Sequence, residues 1–312
     1  LKEFNGREVV VTGGAGFIGS NLCKKLVELG AKVTVIDNLY AGSKDRIQDL
    51  IGKGLKFVEK DIRDKEAIEQ ATKNCETIFH LAAQTSVPFS MENPQEDSEI
   101  NVIGTLSVLE AAKKAGARVV FASSSAVYGN PKQKPTNETV EPNPIAFYGL
   151  TKLLGEDYCR FYHKTYGVEI VMFRIFNVYG PYCHGAIYDF LNKLKKDPTQ
   201  LEVLGTGRQA RDFIYVDDMV NALLRAAITP EASGHAFNVG TGATTSVADL
   251  ARKIVKILEL KDVNIYFTGG IAWEGDMDVT LADYSKAQKI LKWTPQVSIE
   301  EGLKKIISSS SY

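Results

Sequence analysis

A chain of 312 residues, 44% of them apolar and 24% charged, is long enough for one large α/β unit or two lobes sharing a cleft. Its 37 basic and 38 acidic side chains leave a net charge of −1, which gives no field for gripping a phosphate polymer and excludes nucleic acid as the expected partner. The longest apolar runs fall well short of the ~20 residues a membrane helix needs, no signal-peptide layout opens the chain, and Cys23, Cys75, Cys159 and Cys183 lie scattered without a C-x-x-C pair; no membrane contact, no metal and a reduced, cytoplasmic setting are expected.

Residues 7–12 form a β-branched run that stops at glycines, and apolar residues at helical spacing follow over 17–29, with Leu22, Leu26 and Leu29 on one side and Gly30 as the stop. The cycle recurs. Strands are expected at 32–36 ending at Asp37, at 55–58 leading to Asp61, at 76–81 ending at Ala82-Ala83, and at 118–122 ending at Ser123; helices at 64–72 and 98–115 fill intervals between them. Alternation without hairpin signals predicts an α/β fold with a doubly wound parallel sheet, Rossmann-type, covered on both faces, with ligands at the carboxyl ends of its strands. Pro131, Pro135, Pro142 and Pro144 mark a loop before a helix at 146–166, whose apolar stripe is Leu150, Leu153, Leu154, Tyr158 and Phe161. After a strand at 168–174 the pattern turns irregular, with a helix near 186–196, a short strand at 213–215 and helices near 217–228 and 246–258. Residues 1–176 are read as a dinucleotide-binding domain and 177–312 as mainly a smaller substrate lobe, with segments near 212–242, especially 238–240, returning to the main sheet.

Gly13, Gly16 and Gly19 set a G-x-x-G-x-x-G turn between a strand and a helix. The first glycine makes the tight turn, the second admits a pyrophosphate against the backbone, and the helix start at Phe17 and Ile18 offers N–H groups and partial positive charge. Asp37 closes the next strand, where an acid accepts hydrogen bonds from a ribose diol and repels a 2′-phosphate; Asn38, Leu39 and Tyr40 follow it with no Arg, so NAD is favoured over NADP. Asp61-Ile62 suits an adenine edge, with a helix cap before Asp64 as the competing reading. Leu81, Ala82 and Ala83 are small enough for a cofactor to pass close to the backbone.

Tyr148 and Lys152 stand four apart on one face of the predicted helix. A Lys charge and a positive nicotinamide ring stabilise a phenolate, so Tyr148 can act as a base near neutral pH. Ser124, beyond the fifth strand, can bridge Tyr148 and a substrate hydroxyl; its neighbours Ser123 and Ser125 could serve instead. His80, His163, His184 and His235 are dispersed and no G-x-S-x-G elbow is present, so the serine is a proton partner and not a nucleophile.

Together, residues 13–20, Asp37-Asn38, His80-Leu-Ala-Ala, Asn101-Val-Ile-Gly-Thr, residues 123–129, Tyr148 to Lys152, Phe173-Arg-Ile-Phe-Asn-Val-Tyr-Gly-Pro181, Arg211-Asp-Phe-Ile-Tyr-Val-Asp217 and Phe237-Asn-Val-Gly240 resemble the extended short-chain dehydrogenase/reductases that act on nucleotide sugars, with UDP-glucose 4-epimerases the nearest pattern. The resemblance covers nearly the whole chain. It implies bound NAD, a C-terminal sugar-nucleotide lobe and a homodimer. It places Ser124, Tyr148 and Lys152 at catalytic positions, Asn101 near the cofactor, and Asn177 and Arg211 on the substrate's diphosphate-nucleoside part.

Sister activities differ locally. The 4,6-dehydratases carry an Asp-Glu pair beside the fifth-strand hydroxyl, and decarboxylases commonly a Glu; this chain has Ser125-Ala126 there. The expected reaction is reversible 4-epimerisation of a nucleotide sugar, UDP-glucose and UDP-galactose above all, through a transient 4-keto intermediate, with Ser125 also near the substrate. Epimerisation of a UDP-N-acetylhexosamine or UDP-glucuronate, a 4-keto-sugar reductase and an idle NAD sensor stand as alternatives. Before Gly275-Asp276, where many relatives carry an Arg for the diphosphate, stands Trp273, which shifts that task to Arg211 or Arg208; Thr280, at a position bulky in glucose-restricted epimerases, would leave room at sugar carbon 2. Arg211 has a structural alternative too, a pair with Asp212 or Asp217.

Overall fold

The β-branched runs of the sequence become neighbours in one sheet. In the computed structural model, which describes residues 2–270 and 275–308, the strands are β1 (Glu8–Thr12), β2 (Lys32–Asp37), β3 (Leu55–Glu59), β4 (Thr77–His80), β5 (Arg118–Ser124), β6 (Ile170–Ile175), β7 (Asn177–Tyr179), β8 (Gln200–Val203), β9 (Ala210–Arg211), β10 (Phe213–Tyr215), β11 (Ala236–Val239), β12 (Thr245–Ser246) and β13 (Asn264–Phe267). Seven of them form the main sheet in the order β11, β6, β5, β4, β1, β2, β3. Every pairing in it is parallel. The direction of strand addition reverses between β1 and β4, the place where an open α/β sheet leaves a crevice at its carboxyl edge.

The helices are α1 (Phe17–Glu28), α2 (Lys65–Thr72), α3 (Val87–Glu92), α4 (Pro94–Ser98), α5 (Gly104–Ala115), α6 (Phe147–Tyr166), α7 (Ala186–Lys196), α8 (Val216–Ile228), α9 (Val247–Ile257), α10 (Ser285–Leu291) and α11 (Ile299–Ser308). Strand side chains alternate between two cores. Val9, Val11, Val33 and Val35 join the side covered by α1 and α8; Val10, Ile36, Ile78 and Val119 join the side covered by α2, α5 and α6. The return of 238–240 to the main sheet is realised by β11, which lies beside β6 in parallel. The rest of the C-terminal half builds small two-stranded sheets, β7 with β10, β8 with β13 and β9 with β12.

Two expectations need correction. The helix expected over 98–115 is interrupted: α4 gives way to a π-helical turn over Glu99–Ile103 before α5 begins, and Gly116, at φ +66°, ends it. Apolar periodicity does not register a single extra residue in a turn. The apolar stripe of α6 does not face the core either. Leu150, Leu154, Tyr158 and Phe161 are exposed, while the buried face carries Gly149, Thr151, Lys152, Gly155, Glu156, Cys159 and Tyr162; of the stripe, Leu153 packs inward, against the Val127, Tyr128 and Phe176 cluster. Among the described residues no helix is long and apolar enough to cross a membrane, and no group of three or more His, Cys, Asp or Glu could hold a metal.

Candidate active site

Gly13 leaves β1 at φ +72°, and a Cβ there would lie 2.7 Å from the Ala82 nitrogen. A Cβ on Gly19 would drive into the Gly13 carbonyl, so α1 starts hard against the turn. Gly16 caps α1 with no side chain, and its N–H donates to the Gly13 carbonyl at 3.1 Å. The first-turn amides of α1, those of Phe17 and Ile18 included, thus face outward with the positive end of the helix and nothing larger than glycine in front of them. This cradle fits a dinucleotide diphosphate.

Asp37, buried at the end of β2, accepts from the amides of Ala15 at 2.9 Å and Leu39 at 2.8 Å. Burial raises its carboxyl above the usual range against those two hydrogen bonds. Asn38 donates to Asp61 at 2.9 Å, and Arg63 forks onto the same carboxylate at 2.8 and 2.9 Å. With the Arg63 amide as a further donor, the roughly four acceptor positions of Asp61 are filled inside the protein, and the Arg63 side chain holds its carboxyl at about 2. An adenine amine could bond there only by displacing one of them. The cap on α2 is Asp64, which accepts from Ala67, so Asp61 has no capping role. Ile62 packs against Gly104 in the core.

Behind Leu81, Ala82 and Ala83 runs a chain of hydrogen bonds. Ala82 N–H donates to the Thr12 hydroxyl at 3.3 Å, which lies 2.8 Å from His80 Nδ1; His80 Nε2 lies 3.0 Å from the Thr105 hydroxyl, itself a donor to the Asn101 carbonyl at 2.6 Å. The Thr105 proton is committed to Asn101, so Nε2 carries the imidazole proton and Nδ1 accepts from Thr12. Burial first, then the charge of Lys152, push His80 down to about 3, so it stays neutral. Asn101 spends its amide on the protein as well: Nδ2 donates to the Gln84 carbonyl, Asp97 and Thr151, and Oδ1 accepts from the Gln84 amide.

Ser124 ends β5 and Tyr148 opens α6. They meet because Gly149 lets the helix press on the turn after β5, where a Cβ would lie 2.5 Å from the Ala126 carbonyl. The Ser124 hydroxyl accepts from Ala126 N–H at 3.2 Å and sits close enough to the Tyr148 phenol to ease its ionisation. Tyr148 N–H is anchored on the Ser90 hydroxyl at 3.0 Å. Burial raises the Tyr148 phenol above its usual value, Ser124 opposes this, and the Asp97 charge adds to it. One turn on, Lys152 is buried with its ammonium 5.0 Å from the centre of the Phe121 ring; burial lowers it to about 8. Of the other two serines, Ser123 turns away to donate to Glu156 at 2.6 Å, and Ser125 is buried at the start of the 3-10 turn Ser125–Tyr128.

In the C-terminal half, Asn177 Oδ1 accepts from Thr280 at 3.3 Å, and Thr280 in turn accepts from the Asp212 amide at 3.1 Å. Thr280 is therefore buried and tied to its neighbours. Arg211 is paired with neither Asp212 nor Asp217. It bonds Asp276 at 2.5 Å and the carbonyls of Ala210 and Asp278 at 3.0 and 3.2 Å. Asp212 is fully buried and takes the amides of Thr241, Gly242 and Ala282, while Asp217 is exposed. Arg208 is exposed on the turn before β9. Trp273 lies outside the described residues.

Residues 9–240 match the model of the NAD dependent epimerase/dehydratase family. The chain belongs to that family. Among curated relatives of this epimerase/dehydratase, a putative UDP-glucose 4-epimerase from Methanocaldococcus jannaschii is 38% identical over 96% of the chain and 97% of its own length. UDP-glucuronic acid decarboxylase 1 from Xenopus tropicalis is 36% identical over 98% of the chain and 73% of its own length. Among solved structures, UDP-glucose 4-epimerase from Thermotoga maritima, determined with UDP-glucose, superposes with a TM-score of 0.90 at 36% identity, over 96% of this chain and 97% of that one. The epimerase/dehydratase is thus an NAD-dependent enzyme of nucleotide-sugar type.

Residues that local reading missed support this site from outside the motifs. Ser90 anchors the Tyr148 amide, and the Asp97 carboxylate joins Gln84, Asn101 and Thr151. A serine and an aspartate in short helices carry no motif. Only the distance from Tyr148 in three dimensions singles them out.

Proposed function

We propose that the protein interconverts the 4-epimers of a nucleotide sugar, UDP-glucose and UDP-galactose first, with Tyr148 as the base. The observation that supports the reading is the placing of Ser124 beside the Tyr148 phenol, with Lys152 one turn on along α6, in a chain whose next residues after Ser124 are Ser125 and Ala126. Dehydration and decarboxylation call for an acid beside that serine; epimerisation needs only one tyrosine. A decarboxylase stands among the relatives at 36% identity, so this local difference weighs more than overall similarity.

Bound NAD supplies the acceptor and later the donor of hydride at sugar carbon 4, together with a positive ring beside the phenol. Ser124 orients the sugar hydroxyl toward Tyr148. Tyr148 takes its proton and returns it to the same oxygen after the 4-keto sugar has turned over. Burial opposes the phenolate, and we assign the charge of Lys152, one turn on along α6, together with the positive nicotinamide ring, to sustain it. Asn177 and Arg211 hold the nucleoside diphosphate still while the sugar turns, Arg211 exchanging Asp276 for the substrate's phosphates, with Arg208 as a second cation at the rim.

A 2-acetamido sugar is the second reading, favoured by Thr280, whose short side chain is drawn onto Asn177. The exposed apolar face of α6, formed by Leu150, Leu154, Tyr158 and Phe161, supports a homodimer. Incubation of NAD-loaded enzyme with UDP-glucose, UDP-galactose, their acetamido forms and UDP-glucuronate, without added reductant, tests the reading. Interconversion of at least one pair is expected; none at all overturns it.

A further inference from the structure

Asp97 has 0% exposure and hydrogen-bond donors that are all neutral. Its Oδ1 accepts from Gln84 Nε2 at 2.6 Å and Asn101 Nδ2 at 3.2 Å, and its Oδ2 from the Thr151 hydroxyl at 2.6 Å. A carboxylate buried without a guanidinium or ammonium bonded to it is expensive, because neutral donors replace water but not a counter-charge. Asn101, which donates to Asp97, stands in a π-helical turn over Glu99–Ile103, a distortion that is rare and frequent at functional sites. Thr151, its third donor, sits between Tyr148 and Lys152 on α6 and also reaches the Tyr148 carbonyl at 3.2 Å.

Lys152 follows Thr151 on the buried face of α6, so the turn that donates to Asp97 also carries a buried ammonium, whose proton affinity the Asp97 charge raises. Four groups act electrostatically on that ammonium: Asp97 from α4, Glu156 and Cys159 from α6, and His80 from β4. Glu156 is already neutralised by Arg174 at 2.8 Å and Arg160 at 2.5 Å. The Cys159 thiol is pushed up by burial and stays protonated, and His80 is neutral. Phe121, from β5, offers a ring face. Asp97 is the acid among these with no cation bonded to it, its donors being Gln84, Asn101 and Thr151.

We propose that Asp97 is a positioning residue, the buried counter-charge that keeps Lys152 an ammonium at working pH and, through Thr151, sets Tyr148 and Lys152 in register. The proposal rests on the reading of Tyr148 as base. Tyr148 faces Ser124 and the same Asp97 charge, so removing the charge lowers the proton affinity of both Lys152 and Tyr148.

The test uses NAD-loaded enzyme with lysine side chains carrying 13C at Cε, the Lys152 resonance being identified by its loss in Lys152→Met. Titration of the unaltered enzyme should place the Lys152 midpoint above neutrality, and Asp97→Asn should lower it by about one pH unit, with Asp97→Glu restoring it. Thr151→Val, which removes the bond and keeps the charge, should leave the midpoint in place. An unchanged midpoint in Asp97→Asn, or an equal fall in Thr151→Val, overturns the proposal. So does a midpoint below pH 7 in the unaltered enzyme, which can be read even if Asp97→Asn does not fold. Turnover of nucleotide sugars is followed on the same samples. A midpoint that falls as expected in an enzyme that turns over none of them upholds the counter-charge while the epimerase reading fails. In an active enzyme both limbs of the pH–rate profile should move to lower pH in Asp97→Asn.

Discussion

The two halves of the molecule hold their polar groups differently. Around the β1–β4 crevice each group has a fixed partner in an adjacent element: Thr12, His80 and Thr105 form one chain, and Asp97, Asn101 and Thr151 another. In the C-terminal half Arg211, which we assign to the substrate, is held by Asp276, 65 residues away in sequence, an ion pair that phosphates can replace. On the function proposed above, the first set keeps its geometry through a proton transfer, while Arg211 exchanges its partner.

This division can be broken by substitutions that hit the wrong step. The largest effect is expected for Tyr148→Phe, with kcat falling about 10²–10⁴-fold and NAD content unchanged; loss of NAD instead would show that the tyrosine holds the cofactor and does not do chemistry. Next comes Arg211→Ala, which removes hydrogen bonds to a charged group worth about 1.5–3 kcal/mol, so KM should rise about 10- to 150-fold while NAD stays bound. A fall in kcat alone would place Arg211 on the wrong side of the comparison.

A pH profile sharpens the same contrast. Burial holds Lys152 at about 8, below an unfolded lysine near 10.4. Between those values the unfolded chain binds more protons, so this group makes folding stability rise with pH. Activity should nevertheless fall above about pH 8 as Lys152 loses its charge, and circular dichroism on the same samples separates the two: a profile in which activity and folded fraction fall together would argue against Lys152 as the titrating group. The smallest effect on a single active site is expected from Phe161→Glu, which should shift the mass measured by light scattering from dimer to monomer; a monomer before the substitution would remove the homodimer.

Much of this was legible in the sequence, and the reasons it stopped are physical. The glycine turn, Asp37 and the Tyr148–Lys152 spacing are local, so their chemistry shows in a few adjacent residues, and the parallel sheet follows from the alternation of short apolar runs with helical ones. The return of β11 was readable from Phe237-Asn-Val-Gly240. What failed was anything that depends on a partner far along the chain. The stripe of α6 has helical period but its sequence does not say which side meets the sheet; glycines at 149 and 155, pressed against Ala126 and Phe121, decide that the polar side does. The Arg211 pair with Asp276 replaced pairings drawn from its sequence neighbours. Asp97 was invisible because a buried acid in a short helix looks like any solvated one.

On the proposed function, this chain moves a proton and a hydride at sugar carbon 4 and returns both. The direct measurement is to give NAD-loaded enzyme UDP-glucose alone, with no reductant, and to follow the sugar's C4 configuration by NMR. UDP-galactose should grow to an equilibrium mixture that is the same when approached from UDP-galactose. If none of the UDP-sugars offered changes configuration, or if the sugar ends as a 4-keto, dehydrated or decarboxylated product, the account is contradicted.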